Sequence, residues 1–179
     1  PEAPFYFVSN HVSFFDVFIL ASELGCVFVS KSELGAWPVF GFIARHMSTI
    51  LVNRKDIRDT HRVNDEIRKV MKDELGVVVF AEGGVSQSGE LMAFKAPLLQ
   101  SAVDLDMPVH YASIFYETPY RREAAGEKIL WKDGVSFIRH FLNVASLPFC
   151  DATLVFGSEA ILGDDRKVLA VKLHDAVES

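Results

Sequence analysis

The feature that most constrains the fold is a short apolar segment between a long amphipathic helix and a polar loop. Residues 77–81 (V-V-V-F-A) form an uninterrupted apolar run of the length of one buried strand. A helix over residues 56–75 precedes it, because apolar residues recur there at helical spacing among charged ones, and Gly76 ends that helix. A strand that is apolar on both faces and follows directly on a helix is typical of a parallel sheet covered by helices.

The same alternation of strands and helices runs along the rest of the chain. Short apolar runs predict further strands over residues 5–8, 27–29, 50–52, 109–115 and 152–156. Apolar residues at helical spacing predict helices over residues 14–24, 97–105, 137–144 and 164–177. This alternation favours an α/β fold with a mostly parallel central sheet flanked by helices. No internal repeat or low-complexity linker interrupts it, so we expect residues 1–179 to form a single domain.

Composition and charge argue against two classes of protein. The formal net charge of −6 does not suit a nucleic-acid binder, which needs clustered lysine and arginine to neutralise phosphates. No run approaches the roughly 18–20 consecutive apolar residues that span a bilayer. We therefore expect no nucleic-acid partner and no membrane-spanning segment in this stretch of chain.

The N-terminus and the two cysteines indicate the setting of the protein. Residues 1–4 (P-E-A-P) contain neither an initiator methionine nor the basic and apolar regions of a secretory signal. Because a predicted strand begins directly after them, we expect that the chain lacks an N-terminal segment, which could hold a membrane anchor. Cys26 and Cys150 lie in apolar surroundings without metal-ligand spacing. We expect both to be reduced and buried, as suits a cytosolic face.

The loop after the first predicted strand, residues 9–16 (S-N-H-V-S-F-F-D), carries a histidine and a carboxylate. The bend of the loop and the first helical turn can bring Asp16 onto His11 Nδ1, which leaves Nε2 free to take a proton. A substrate hydroxyl can then serve as the nucleophile. In the alternative, structural interpretation, Asn10 or Ser13 caps the helix and Asp16 favours its dipole. Spacing alone favours this second interpretation, because an H-x4-D match arises easily by chance.

A second polar loop, residues 80–89 (F-A-E-G-G-V-S-Q-S-G), follows the buried strand. Gly83 and Gly84 allow backbone N–H groups to approach an anion or a developing oxyanion. Glu82, at the carboxyl end of a strand, is unusual for a purely structural residue unless it has partners. The alternative is a tight polar turn. The loop is neither a P-loop nor a serine nucleophile elbow, since it lacks the Gly-Lys-Ser/Thr and G-x-S-x-G patterns.

Together these loops resemble the conserved blocks of the glycerolipid (lysophospholipid) acyltransferase family, which includes the 1-acylglycerol-3-phosphate acyltransferases. The first block (N-H-x-S-x-x-D in the family) matches residues 10–16. The second block, which ends in an arginine, matches residues 31–34, Pro38, Gly41 and residues 50–54. The third block (usually F-P-E-G-T-R-S) matches residues 80–86 with residues 94–95, and the fourth matches residues 107–109. Four blocks in order and at the right intervals are far more specific than any one of them.

The resemblance implies transfer of a fatty acyl group from an acyl-CoA or acyl-carrier-protein thioester to the hydroxyl of a lysolipid, lysophosphatidic acid-like or other. His11 would deprotonate the hydroxyl and Asp16 would hold His11. A thiolate is a good leaving group, so we expect neither a metal nor another cofactor. We expect the protein to lie on the cytoplasmic face of a membrane, which in a bacterium would be the inner membrane. It would bind this membrane peripherally or through the missing N-terminal segment.

The resemblance also implies a set of substrate-binding residues. These are Asn10, Ser13, Lys31, Arg54, Glu82, Gly83 and Gly84. The usual arginine of the third block is Val85 here, and valine cannot replace the fork with which arginine clamps a phosphate. The acceptor is therefore left open. Residues 130–133 and His140 resemble a bacterial branch of the family, some of whose members acylate lyso-ornithine lipids. We expect His140 to be a helix-surface or a satisfied structural residue, not a second base.

Two other functional classes stay open. A thioesterase or lipid hydrolase would use the same His11–Asp16 pair with water as the nucleophile, and only its products would distinguish it from a transferase. In a non-catalytic lipid-binding domain we would expect substitutions in the first block. Here the first block is intact, and it is the third that differs from the family pattern. We therefore expect retained chemistry and a changed acceptor.

Overall fold

A six-stranded sheet forms the centre of the protein in the computed structural model, which describes residues 1–35, 41–42, 46, 48–53, 56–118 and 128–179. The strands are β1 (Tyr6–Ser9), β2 (Cys26–Lys31), β3 (Ile50–Val52), β4 (Gly76–Val79), β5 (Val109–Glu117) and β6 (Asp151–Phe156). Their order across the sheet is β3-β2-β4-β1-β5-β6. The neighbouring strands from β3 to β5 pair in parallel, and β6 pairs antiparallel with β5 at the edge.

Helices connect the strands. They are α1 (Phe15–Glu23), α2 (Ser32–Gly35), α3 (Ile57–Lys72), a 3-10 turn (Ala96–Leu99) that leads into α4 (Gln100–Asp104), α5 (Phe137–Ala145) and α6 (Arg166–Glu178). The side chains of Asp56 and Asp165 accept hydrogen bonds from backbone N–H groups in the first turns of α3 and α6, which fixes where these helices begin. Among the described residues, no helix is both long enough and apolar enough to cross a membrane.

The sheet separates two apolar clusters. Successive side chains of a strand point to opposite faces, so the aromatic residues at the start of β1 divide between them. Tyr6 faces a cluster that α3 and α6 cover. Phe7 faces a second cluster that is covered by Leu20 of α1 and by Leu24, the residue after this helix. Helices on both faces of a mostly parallel sheet confirm the predicted α/β fold.

The predicted elements all have counterparts in the structure, with bounds that differ by a few residues. The predicted helix over residues 56–75 ends three residues earlier, at Lys72, and residues 80–81 belong to the loop after β4 and not to the strand. The predicted helix over residues 97–105 is a 3-10 turn followed by the short helix α4. That residues 1–179 form one domain stays a prediction.

The cysteines differ from expectation in one respect. Cys26 and Cys150 are both free thiols, but each is half-buried, so the prediction that both are buried is wrong. Cys26 opens β2 and packs at the margin of the cluster around Phe7, where part of its surface stays open to solvent. Burial raises the pKa of the Cys26 thiol to about 12 and also raises the pKa of Cys150, which keeps both protonated at neutral pH.

Candidate active site

The loop that carries His11 crosses the carboxyl ends of the parallel strands. It begins after Ser9 at the end of β1 and leads into α1, and the loop after β4 lies beside it. β5 is longer than β1: Ser9 pairs with Ala112, and the rest of β5 continues past that point. This extension brings Ile114 and Tyr116 alongside the His11 loop. Ligands of open α/β sheets bind at this edge of the sheet.

His11 and Asp16 form the predicted pair. His11 Nδ1 lies 2.8 Å from Asp16 Oδ2. The half-buried His11 ring stacks on Phe80, with 3.9 Å between ring centroids, and Asp16 is fully buried. Because a carboxylate only accepts hydrogen bonds, the proton of a neutral imidazole lies on Nδ1 and Nε2 is left as a base.

The Asp16 carboxylate is fixed by three further donors. The backbone N–H groups of Val12 and Ser13 donate to Oδ2 at 2.8 and 2.9 Å. The Tyr116 hydroxyl donates to the other oxygen, Oδ1, at 2.6 Å. Burial raises the pKa of Tyr116 far above its ordinary value, and the neighbouring Asp16 carboxylate raises it further. The Tyr116 hydroxyl therefore stays protonated and acts as a donor. Four donors converging on one carboxylate hold its orientation toward His11.

Glu82 fixes the backbone of the His11 loop. Its Oε1 accepts from His11 N at 2.6 Å and its Oε2 accepts from Met92 N at 2.8 Å. Ser86 N donates to His11 O at 2.7 Å, so the loop after β4 holds both backbone groups of His11. Burial raises the pKa of Glu82, although the two backbone donors act in the opposite sense. Both oxygens face the protein in this structure, and the contact of Glu82 with an acceptor headgroup stays a prediction.

Asn10 and Ser13 also have protein partners. The Asn10 side chain donates to Ile114 O at 2.9 Å and accepts from Ile114 N at 2.7 Å, which extends the β1–β5 pairing by one step. Ser13 is fully buried, and its Oγ lies 3.2 Å from His140 Nε2. The structure therefore gives both residues a part in positioning the loop, and their contact with substrate stays a prediction.

The remaining predicted residues are Lys31, Arg54, Gly83 and Gly84. Lys31 is exposed at the end of β2, at the same edge of the sheet, and Arg54 lies outside the described residues. Gly83 has φ +78°, and a Cβ placed there would lie 2.9 Å from Lys95 Nζ. Open space faces Gly84. The left-handed backbone therefore selects glycine at position 83, whereas the flexible Lys95 side chain could move away from a Cβ.

An unpaired group of donors adjoins Gly83. Within the described part of the chain, nothing accepts a hydrogen bond from the backbone N–H of Gly84 or of Val85. The exposed Lys95 side chain lies against the same turn. Consecutive free N–H groups beside an ammonium suit a negatively charged oxygen, as the glycines of this loop predict.

Sequence reasoning missed the residues that hold the loop from outside. Tyr116 carried no signal, since it lies 100 positions from Asp16 in a strand. For His140 we expected either a position on the helix surface or a role as a satisfied structural residue. Because His140 is buried, the second alternative fits and the first does not. It stacks on Trp131, with ring centroids 5.5 Å apart and 7° between the planes, and Trp131 N donates to Val12 O. Burial lowers the pKa of His140, which favours the neutral ring.

Replacing Glu82 with glutamine is expected to lower the free energy of unfolding by about 1–3 kcal/mol, because one of the two backbone donors then faces an NH2 group. The loss also depends on pH. Burial raises the pKa of Glu82, so the folded protein binds this proton more tightly than the unfolded chain does. The wild type therefore loses stability as the pH rises from the ordinary glutamate pKa through the raised one, and the glutamine variant does not.

Urea unfolding at a series of pH values measures this difference. The gap between wild type and variant should be widest in acid and should narrow as the pH rises. Glu90→Gln, at an exposed position of the same loop, is the matched control and should show neither effect. A gap that widens with rising pH would contradict the assignment.

A base held by a carboxylate at the strand ends of an α/β sheet is the arrangement of enzymes that activate a hydroxyl group for attack. The chain belongs to the Acyltransferase family, whose family model matches residues 1–114.

Several acyltransferases are similar in sequence to this chain. A lyso-ornithine lipid O-acyltransferase of Rhizobium meliloti (strain 1021) is 39% identical over 100 residues, which are 55% of this chain and 34% of the relative. A 1-acyl-sn-glycerol-3-phosphate acyltransferase of Neisseria gonorrhoeae is 31% identical over 117 residues, 65% of this chain and 46% of the relative. A lyso-ornithine lipid O-acyltransferase of Brucella abortus (strain 2308) is 28% identical over 98% of this chain and 70% of its own length. The chain thus spans less than half the length of the first two.

A solved structure shares the fold. The crystal structure of the 1-acyl-sn-glycerophosphate (LPA) acyltransferase PlsC from Thermotoga maritima superposes with a TM-score of 0.68 at 19% sequence identity. The match covers 99% of this chain and 65% of that protein. At this identity the likeness establishes the architecture alone.

Proposed function

We propose that the protein transfers a fatty acyl group from a coenzyme A or acyl-carrier-protein thioester to the hydroxyl of a lysolipid, with His11 as the general base. One observation carries the proposal: Asp16 holds His11 with Nε2 free, and no serine hydroxyl or cysteine thiol among the described residues hydrogen-bonds to the His11 ring. A base without an enzyme nucleophile suits direct attack by a substrate hydroxyl.

The reaction follows from this arrangement. His11 Nε2 takes the proton of the acceptor hydroxyl while the hydroxyl oxygen attacks the thioester carbonyl carbon. Asp16 stabilises the imidazolium that forms. The tetrahedral intermediate carries a negative oxygen, for which backbone N–H groups such as those of Gly84 and Val85 are suitable donors. The C–S bond then breaks, and the imidazolium returns its proton to the departing thiolate. The products are an ester and a free thiol.

Two alternatives, a non-catalytic lipid-binding domain and a hydrolase, compare with acyl transfer in different ways. In a non-catalytic lipid-binding domain, a buried carboxylate with four donors would serve only to orient a loop histidine. A hydrolase would use the same pair with water, and the site geometry is compatible with that reaction. The names of the relatives support transfer: each of those given above is an acyltransferase that acts on a lysolipid.

The acceptor we favour is a lysolipid whose headgroup does not need an arginine clamp. Val85 stands at the position where the family block has arginine, and the cation beside this turn is Lys95. A lysine binds an anion as a point charge and lacks the two-pronged fit of arginine to phosphate. Lyso-ornithine lipid and lysophosphatidic acid are the two acceptors that the relatives' names supply for comparison.

An assay with labelled acyl-CoA and acyl-carrier protein, each offered a panel of lysolipids, tests the proposed function. We expect labelled ester with at least one lysolipid and a preference for lyso-ornithine lipid over lysophosphatidic acid. No ester with any donor and acceptor pair, from a folded protein in lipid or detergent, would contradict acyl transfer.

Val85→Arg is expected to raise kcat/KM for lysophosphatidic acid by about 10- to 100-fold, since a charge-assisted hydrogen bond contributes roughly 1.5–3 kcal/mol. The rate with lyso-ornithine lipid should not rise. Ser88→Arg is the matched control, because it adds the same charge to an exposed position of the same loop. An equal gain in both variants would show a general charge effect and would contradict a specific clamp at position 85.

A further inference from the structure

Helices α1 and α5 present a contiguous apolar surface to solvent. We define this aromatic face by four side chains: Phe18 of α1 and Ile138, Phe141 and Leu142 of α5. Their exposed fractions are 39%, 67%, 45% and 59%. The three α5 residues are spaced three and four apart and share one side of the helix, while His140 is buried on the other side. A water-soluble surface rarely gathers side chains of this kind on adjoining helices.

The aromatic face adjoins the catalytic loop. Phe14, the residue before α1, contacts the Phe18 ring at 4.8 Å and the Phe137 ring at 4.6 Å between centroids. Phe15 stacks on Phe141 at 6.1 Å. Phe14 and Phe15 lie between Ser13 and Asp16 in the chain, so one packed group of rings joins the exposed face to the His11–Asp16 pair.

The charges around α5 differ in sign from those of the chain as a whole. Residues 128–150 contain three basic residues, Lys128, Lys132 and Arg139, and one acidic residue, Asp133, for a net charge of +2 in a chain of −6. In the described part of the chain, no carboxylate forms an ion pair with any of the three basic side chains. An apolar helix face with unpaired basic residues nearby is complementary to an anionic lipid surface.

We infer that the aromatic face docks on the surface of an anionic lipid bilayer and holds the His11 loop at the level of the headgroups. This inference rests on the proposed function in one respect: a lysolipid acceptor resides in that surface. Apolar side chains of α1 and α5 enter the outer part of the lipid layer, and the basic residues contact its phosphates. The acceptor hydroxyl then reaches His11 without leaving the bilayer.

Vesicle flotation tests the inference. The probe is a vesicle of phosphatidylethanolamine and phosphatidylglycerol, compared with one of phosphatidylcholine. We expect the wild type to float with the anionic vesicles, to do so less at high salt, and to float less with the neutral ones. The double variant Ile138→Ser/Leu142→Ser should bind the anionic vesicles about tenfold more weakly, because membrane affinity scales with the apolar area inserted.

Helix α6 offers a matched control. Val168 and Val171 are exposed to 50% and 61% on another helix, so Val168→Ser/Val171→Ser removes comparable apolar surface and should float like the wild type. Unchanged flotation of the α5 variant, or equal losses in both variants, would overturn the inference. So would a wild-type dimer that the α5 variant converts to a monomer, because the face would then be an interface between copies of this chain. Wild-type protein that ignores vesicles would overturn it as well.

Activity separates this inference from the proposed function. The α5 variant should lose turnover of vesicle-embedded lysolipid and keep turnover of a short-chain lysolipid dissolved in water. If neither substrate is ever esterified, the proposed function fails, and flotation still decides whether the aromatic face binds lipid.

Discussion

Replacing His11 with alanine should lower the rate of ester formation by roughly 10²–10⁴-fold, the usual contribution of a positioned general base. Nε2 of this ring is the only catalytic atom that the proposed reaction assigns to proton transfer, since Asp16 serves to orient and to stabilise it. The fold should survive, because His11 is half-buried and the loop is held mainly through its backbone, by Glu82 and Ser86. The rate constant for ester formation, measured with saturating acyl donor, reports the loss.

His61→Ala is the matched control for this variant. His61 is exposed on α3 and has no assigned role, so its removal should leave the rate unchanged. Equal turnover by the wild type and the His11 variant would remove the general-base assignment. If the His11→Ala variant loses activity and also melts at a much lower temperature than the His61→Ala variant, the lost activity would reflect a folding defect and not a chemical one.

Replacing Asp16 with asparagine should lower the rate by at least about 10²-fold while the loop keeps its shape. The backbone N–H groups of Val12 and Ser13 both point at Oδ2, so the asparagine oxygen must take that position and still face His11 Nδ1. The asparagine NH2 then faces Tyr116, whose hydroxyl turns from donor to acceptor. In serine proteases the equivalent change costs about 10⁴-fold by selecting the wrong histidine tautomer. Here the tautomer is retained, and the loss comes from the missing charge beside the imidazolium.

Asp16→Ala separates this charge effect from folding. It leaves two buried backbone donors and the Tyr116 hydroxyl without an acceptor, and each such group costs roughly 1–3 kcal/mol. Urea unfolding should therefore show a large loss of stability for the alanine variant and a small one for the asparagine variant. If both variants are equally unstable, the orientation assigned to the carboxylate is wrong. If the asparagine variant is as fast as the wild type, the charge has no catalytic part.

The sheet was predictable from sequence because its signals are local. The run over residues 77–81 marks a buried strand, and the capped amphipathic helix before it marks a crossover between parallel strands. The antiparallel pairing of β6 was not predictable, since its apolar residues 154–156 carry no information about direction. The long extension of β5 follows from this pairing, and the extension is what brings Tyr116 to Asp16.

The candidate site was predictable only where its residues are close in sequence. His11 and Asp16 are five positions apart, and a helix turn brings them together. Glu82 was recognised as unusual, but no periodicity shows that its two oxygens face the backbone N–H groups of His11 and Met92. The contact of His140 with Ser13 joins residues 127 positions apart and depends on how α5 packs, which the pattern of α5 alone does not determine.

In the proposed reaction, His11 activates a lipid hydroxyl and the acyl group ends on that hydroxyl. The most direct test follows the label of an acyl thioester when the wild type and the His11→Ala variant are each incubated with a lysolipid, and measures how much becomes ester and how much becomes free fatty acid. We expect wild-type label to pass mainly into the ester and the variant to form almost no ester. Label that appears mainly as free fatty acid, or ester that forms equally fast without His11, would contradict it.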